Sequence, residues 1–119
     1  MVPRLTFVLD CCDAERLSAF WSEALGYTCR GTFGQCRPLL PDPPSNEPWL
    51  VLQQVSEGKL GKNRMHLDIK VADLEEEARR LEVLGARRVS DETAGAGDAA
   101  WFVMADPEGN EFCIVRHAQ

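Results

Sequence analysis

From residue 3 to residue 11 the chain alternates. Leu5, Phe7 and Leu9 fall on one side, and Thr6, Val8 and Asp10 on the other. A period of two predicts a strand. The period then changes. Leu17, Phe20, Trp21, Ala24 and Leu25 recur at three- and four-residue steps, which predicts an amphipathic helix over 14–25. Asp13 is placed to cap its start and Gly26 to stop it. Short strands are expected at 27–33 and 36–40. PDPPSNEP (41–48) is a turn-rich break, and WLVLQQV (49–55) is a further strand. SEGKLGKN (56–63) is polar, holds two glycines and is expected to be a connection.

The same succession then starts again. RMHLDIKV (64–71) is a strand, with Met65, Leu67, Ile69 and Val71 as its apolar set and His66, Asp68 and Lys70 on the other face. Asp73 is the next N-cap. Leu74, Ala78, Leu81, Val83 and Leu84 support a helix over 74–84, stopped by Gly85. Strands are expected at 86–90, 99–104 and 111–116, the last two joined by the turn DPEGN (106–110). Asp13 and Asp73 stand 73 − 13, or 60, positions apart. A β-α-β-β-β pattern repeated at this period predicts a duplicated module. The expected organisation is one domain over 1–119, with module one at 1–56, a linker at 57–63 and module two at 64–119. ETAGAGDAAW lacks the strand–loop–helix setting and the lysine of a phosphate loop, and is expected to be a flexible connection.

Composition narrows the function classes. The net charge of −6 disfavours nucleic acid and anionic membranes as partners. No apolar run approaches the roughly 20 residues of a membrane span. MVPRLTFVLD lacks the apolar core and cleavage site of a secretory leader. The five cysteines are scattered without a C-x-x-C pair, which argues against a zinc knot or a disulfide scaffold. A cytoplasmic protein with reduced thiols, used mostly as small apolar fillers, is the expectation.

Three stretches carry a resemblance: LDCCDAERLSAFWSEALGY, GKNRMHLDIKVADLEEEARRLEVLGAR and VMADPEGNEFCIV. With the paired βαβββ pattern, they make the chain similar to the vicinal oxygen chelate superfamily, the glyoxalase, bleomycin-resistance and dioxygenase group. The match is to its short bacterial glyoxalase-like members. The resemblance implies an α+β fold: two tandem βαβββ modules forming a curved eight-stranded mixed sheet around a cleft, with helices outside. It also implies a small-molecule ligand and a homodimer.

In metal-using members of that superfamily the ligands come from the first and last strand of each module. Here the resemblance puts His66 and Glu111 at the two module-two positions, as ligands for one divalent ion (zinc, iron, manganese or nickel). Glu111 is also the candidate catalytic group. The matching module-one positions are Thr6, by an offset of 60, and Trp49, by keeping Leu50 and Leu52 in register with Phe112 and Ile114. Neither is a usual ligand, and two protein ligands hold a metal weakly. Thr6, Trp49, Gln53, Asp68 and Trp101 are the candidate cleft residues, with Arg37 on a middle strand near Gln53. His117, close to the C-terminus, is expected to be solvated.

Two functional readings stand open, and the ligand deficit favours the first. The first is a protein that binds a small molecule without metal and sequesters an aromatic or drug-like compound, using Trp49, Trp101 and Gln53. The second is a metal-dependent lyase or isomerase of the glyoxalase type, in which the ion would act as a Lewis acid on a small oxygenated substrate. Against both stands the plain alternative that His66 is only hydrogen-bonded and Glu111 only salt-bridged to Lys70, Arg64 or His66.

Overall fold

The computed structural model describes residues 6–61, 63, 65–90, 94–96 and 99–117. The expected start of the first strand at 3–5, the Arg64 partner for Glu111 and the His117 side chain lie outside the described residues. The chain divides into two compact units, Met1–Lys59 and Leu60–Gln119.

In the first unit the order is β1 (Thr6–Cys11), α1 (Ala14–Leu25), β2 (Tyr27–Cys29), β3 (Cys36–Pro41) and β4 (Trp49–Gln54). Its sheet runs β1-β4-β3-β2, with β1 and β4 parallel and the other neighbours antiparallel. The second unit runs β5 (Asp68–Lys70), α2 (Leu74–Leu84), β6 (Arg87–Arg88), β7 (Ala94–Ala96), β8 (Ala99–Ala105) and β9 (Glu111–His117). Its sheet runs β5-β9-β8-β6, with β5 and β9 parallel and β7 paired to β8. The two units therefore share one unusual strand order: the first strand of each lies beside its last. That repeated strand order supports the duplicated module expected from the repeated pattern.

The fold is α+β with tandem βαβββ modules, as expected. The described strands are hydrogen-bonded as two sheets, of four and five strands. Three expectations change. The strand foreseen at 64–71 is paired over only 68–70, so His66 precedes it. The connection foreseen as flexible contains β7, three small residues paired along β8. Val83, counted toward the core of its helix, is 87% exposed.

The helices begin and end as their sequences dictate. The Asp13 carboxylate accepts the Arg16 N–H at 3.1 Å, and the Asp73 carboxylate accepts the Glu76 N–H at 3.1 Å. Each satisfies one backbone donor that the first helical turn leaves without a partner. Glu75, Glu76 and Glu77 also meet the positive end of the α2 dipole. Gly26 (φ 70°) and Gly85 (φ 119°) end the helices in the left-handed region. At Gly85 a Cβ would also come within 3.3 Å of the Pro107 ring, so glycine is required there on two counts.

Each helix covers one face of its own sheet. Leu17, Phe20, Trp21 and Ala24 of α1 are buried together with Leu39, Leu50 and Leu52 of β3 and β4. Phe20 and Trp21 meet edge-to-face with centroids 5.1 Å apart. In the second unit Leu74, Ala78 and Leu81 are buried with Phe102, Met104, Phe112 and Ile114. Arg88 joins helix to sheet there. Its guanidinium lies 4.9 Å from the centre of the Phe102 ring and donates two hydrogen bonds to Glu75, at 3.1 and 2.9 Å.

Candidate functional site

Because α1 and α2 cover one face of each sheet, the residues of opposite parity form the other face. In the first unit the β1–β4 register sets Thr6 opposite Trp49, Val8 opposite Val51 and Asp10 opposite Gln53. The β3–β4 register continues the last two rows to Pro38 and Cys36. The result is an apolar stripe of Val8, Val51 and Pro38 flanked by polar groups and by Trp49, which is 44% exposed. Arg37 is opposite Leu52. It therefore falls on the helix-covered side, not beside Gln53 as expected. Glu47 lies in the loop before β4 and is exposed.

A depression of about 470 Å³ lies at one end of this unit, lined by Gln35, Gln54, Val55, Ser56 and Glu57. It includes none of the expected site residues. Its Gln54 is engaged structurally, with its side-chain oxygen accepting the Ala14 N–H at 2.8 Å and its amide donating to the Cys12 carbonyl.

In the second unit the corresponding face is set by β9. The parallel β5–β9 register pairs Asp68 with Cys113 and Lys70 with Val115. The antiparallel β8–β9 register adds Val103 beside Cys113 and Trp101 beside Val115. The paired rows begin at Asp68 and Cys113 and do not reach His66 and Glu111, whereas in the first unit Thr6 and Trp49 are themselves register partners.

The position of β9 is held by the turn before it. The Asp106 carboxylate is buried and accepts the Glu108 and Asn110 backbone N–H groups, each at 2.9 Å. The Asn110 side-chain amide donates to the same carboxylate at 3.1 and 2.9 Å. A buried carboxylate with that many donors is satisfied in place and has no capacity left for a ligand. DPEGN is thus a rigid corner that sets where Glu111 and Cys113 emerge.

Among the described residues one group of metal-ligating side chains comes together: His66, Asp68 and Cys113, whose ligand atoms all lie within 4.8 Å of one another. His66 Nε2 and Asp68 Oδ1 are 3.2 Å apart. Glu111 is not in this group, and its carboxylate accepts the Asn63 N–H at 3.2 Å. His66 is the expected metal ligand and Asp68 an expected cleft residue, whereas Cys113, expected on the same strand face as Glu111, carries no ligand expectation. The signal for it was parity, since Cys113 shares its face with Glu111 and pairs across strands with Asp68. An imidazole, a carboxylate and a thiolate form a donor set that suits a first-row transition ion, so the residues present fit the metal that the resemblance implied.

The glyoxalase-like domain family model matches residues 6–115. The chain belongs to that family, and through it to the vicinal oxygen chelate superfamily. Among similar solved structures is the genomically encoded fosfomycin resistance protein FosX of Listeria monocytogenes. Its TM-score is 0.77 at 13% identity, with 99% of this chain and 96% of that one covered. A glyoxalase/bleomycin resistance protein/dioxygenase family enzyme of Burkholderia phytofirmans gives 0.75 at 16% identity, with 98% and 100% covered. FosX of Mesorhizobium loti gives 0.73 at 15% identity, with 99% and 95% covered. Identities this low establish a shared fold and no more. No curated protein matches the chain. No helix among the described residues is long and apolar enough to cross a membrane.

Proposed function

We propose that the protein binds a small organic molecule, aromatic or drug-like, as one domain whose two modules both present ligand-binding faces. The observation that carries this is the uncovered face of the first unit. There Val8, Val51 and Pro38 form an apolar floor, Trp49 offers a ring half open to solvent, and Thr6, Asp10 and Gln53 supply polar groups. Apolar surface with a few placed polar groups is what small-molecule recognition uses. An exposed indole is well suited to stack a flat ligand. Trp101 and Asp68 are the corresponding candidates in the second unit. A homodimer in a reducing cytoplasm completes the reading.

Tryptophan fluorescence tests it. Titration with a planar aromatic, and separately with fosfomycin because two of the similar structures are fosfomycin resistance proteins, should give saturable quenching with at least one of them. Trp49→Ala should abolish it. Quenching that never saturates, or that Trp49→Ala leaves intact, would refute this reading.

A second reading, a metal-assisted lyase or isomerase, is favoured by the grouping of His66, Asp68 and Cys113. When bound, the ion would polarise an oxygen of the substrate as a Lewis acid. Glu111, outside the group, would accept or return the substrate proton. Glu111→Gln should then remove turnover while bound metal, measured by elemental analysis, stays stoichiometric. Unchanged turnover would remove Glu111 from the catalytic role.

A further inference from the structure

We infer that the second unit by itself holds a three-ligand site for a borderline-soft divalent ion of the zinc or cobalt class, with Cys113 as the ligand that selects the metal. This rests on the metal-assisted reading above and goes further. It identifies a thiolate ligand, places every protein ligand in one module and restricts which ions fit.

Geometry is the first argument. A tetrahedral ion with bonds of about 2.0–2.3 Å holds its ligand atoms roughly 3.3–3.7 Å from one another. The three donor atoms lie within 4.8 Å of one another, and His66 Nε2 and Asp68 Oδ1 are already 3.2 Å apart. Small side-chain rotations are enough to place an ion between them. The backbone supports the same arrangement. Asp68 and Cys113 are register partners on adjacent strands, the Cys113 N–H donates to the Leu67 carbonyl at 2.8 Å, and His66, two residues before Asp68, brings its Nε2 to 3.2 Å from Asp68 Oδ1.

The second argument is exposure. Cys113 is only 8% exposed, whereas the side chains of His66 and Asp68 are 49% and 58% exposed. The thiol forms the floor of the site and the two other donors its rim. An ion there would have three protein ligands and one side open to water or substrate, as catalytic zinc sites do. An exposed His–Asp pair alone adds little to stability, so a purely structural role leaves the grouping unexplained.

Selectivity follows from the donors. Thiolate favours zinc and cobalt, whereas manganese and magnesium prefer all-oxygen surroundings. On binding, the S–H bond of Cys113 is replaced by an S–metal bond and the proton leaves to solvent.

Cobalt(II) titration of the purified, chelator-treated protein tests this. The expected result is one cobalt per chain, a near-ultraviolet thiolate-to-cobalt charge-transfer band, displacement by zinc and no displacement by magnesium or manganese. Cys113→Ser should remove the band and weaken binding by at least about tenfold. Should Cys113→Ser fail to fold by circular dichroism, His66→Ala and Asp68→Asn, both at half-exposed positions, carry the same test through weakened binding. Glu111→Gln should leave the band in place. A band that persists in Cys113→Ser would assign the thiolate to another cysteine and overturn the site. Cobalt bound without a thiolate band, and retained in both Cys113→Ser and Glu111→Gln, would keep the metal-assisted reading but overturn this inference. No cobalt binding at all would overturn both.

Discussion

The two units share a backbone plan and differ in what their uncovered faces carry. Each starts with a strand, an aspartate cap and an amphipathic helix stopped by a left-handed glycine, and each returns its last strand beside its first. On the first unit's face the paired positions hold Thr6 and Trp49. In the second unit the corresponding first and last strands pair Asp68 with Cys113, and His66 lies beside Asp68, its Nε2 3.2 Å from Asp68 Oδ1. The comparison shows that caps, helix stops and strand order recur in both units, whereas the grouped metal-ligating side chains, among the described residues, lie on the second. A residue's partners across strands, not its place in the repeat, decide what it can do.

The largest effects should fall on the shared part of the plan, and equally in both units. Trp21→Ala and Phe112→Ala each remove a buried aromatic and should each cost about 3–5 kcal/mol in urea unfolding. A much smaller loss for one would show that its unit packs less tightly than its buried side chains indicate. Next comes a difference between the copies. Asp106 is buried at the centre of a closed turn, while Asp42, in the turn-rich break of the first unit, is exposed and accepts the Thr28 hydroxyl at 2.9 Å. Asp106→Ala should cost about 2–3 kcal/mol because it leaves buried donors without partners. Asp42→Ala should cost well under 1 kcal/mol, as exposed substitutions do.

Smaller again are the caps. Asp13→Ala and Asp73→Ala should each cost about 1 kcal/mol, and by matching amounts, since their hydrogen bonds have the same length. The smallest effect is at Glu75. Its hydrogen bonds from Arg88 hold its carboxyl below the ordinary value. The folded value lies below the unfolded one, so the contribution is present at neutral pH and is lost as pH falls through and below the ordinary carboxylate range. A small stability difference between wild type and Glu75→Gln at neutral pH should vanish on acidification, followed by urea midpoints across pH. A difference that grows on acidification would contradict the assigned cause.

The repeated plan was legible in the sequence because it is written in local signals. Period-two and period-3.6 runs, Asp13 and Asp73, Gly26 and Gly85 each act within a few residues of themselves. What was not legible depended on pairing between distant strands. The short extent of β5 and the side taken by Arg37 are set by register, which periodicity alone does not show. β7 escaped because Ala-Gly-Ala carries no alternation and takes its conformation from β8. Val83 sits at helical spacing but points away from the sheet. At the site, His66 stood out as one of two histidines, and Asp68 by sharing its face. Cys113 carries no ligand expectation from the sequence because a buried cysteine is usually apolar filler, and its pairing with Asp68 comes from strand register.

The metal site inferred on the second unit, with Cys113 as its thiolate ligand, is the claim most open to direct test. X-ray absorption at the zinc edge of the zinc-loaded protein tests this most directly. The account predicts one sulfur scatterer at about 2.3 Å together with lighter nitrogen and oxygen neighbours at about 2.0–2.2 Å, the sulfur being lost in Cys113→Ser. A shell of nitrogen and oxygen alone in the wild-type protein would contradict it.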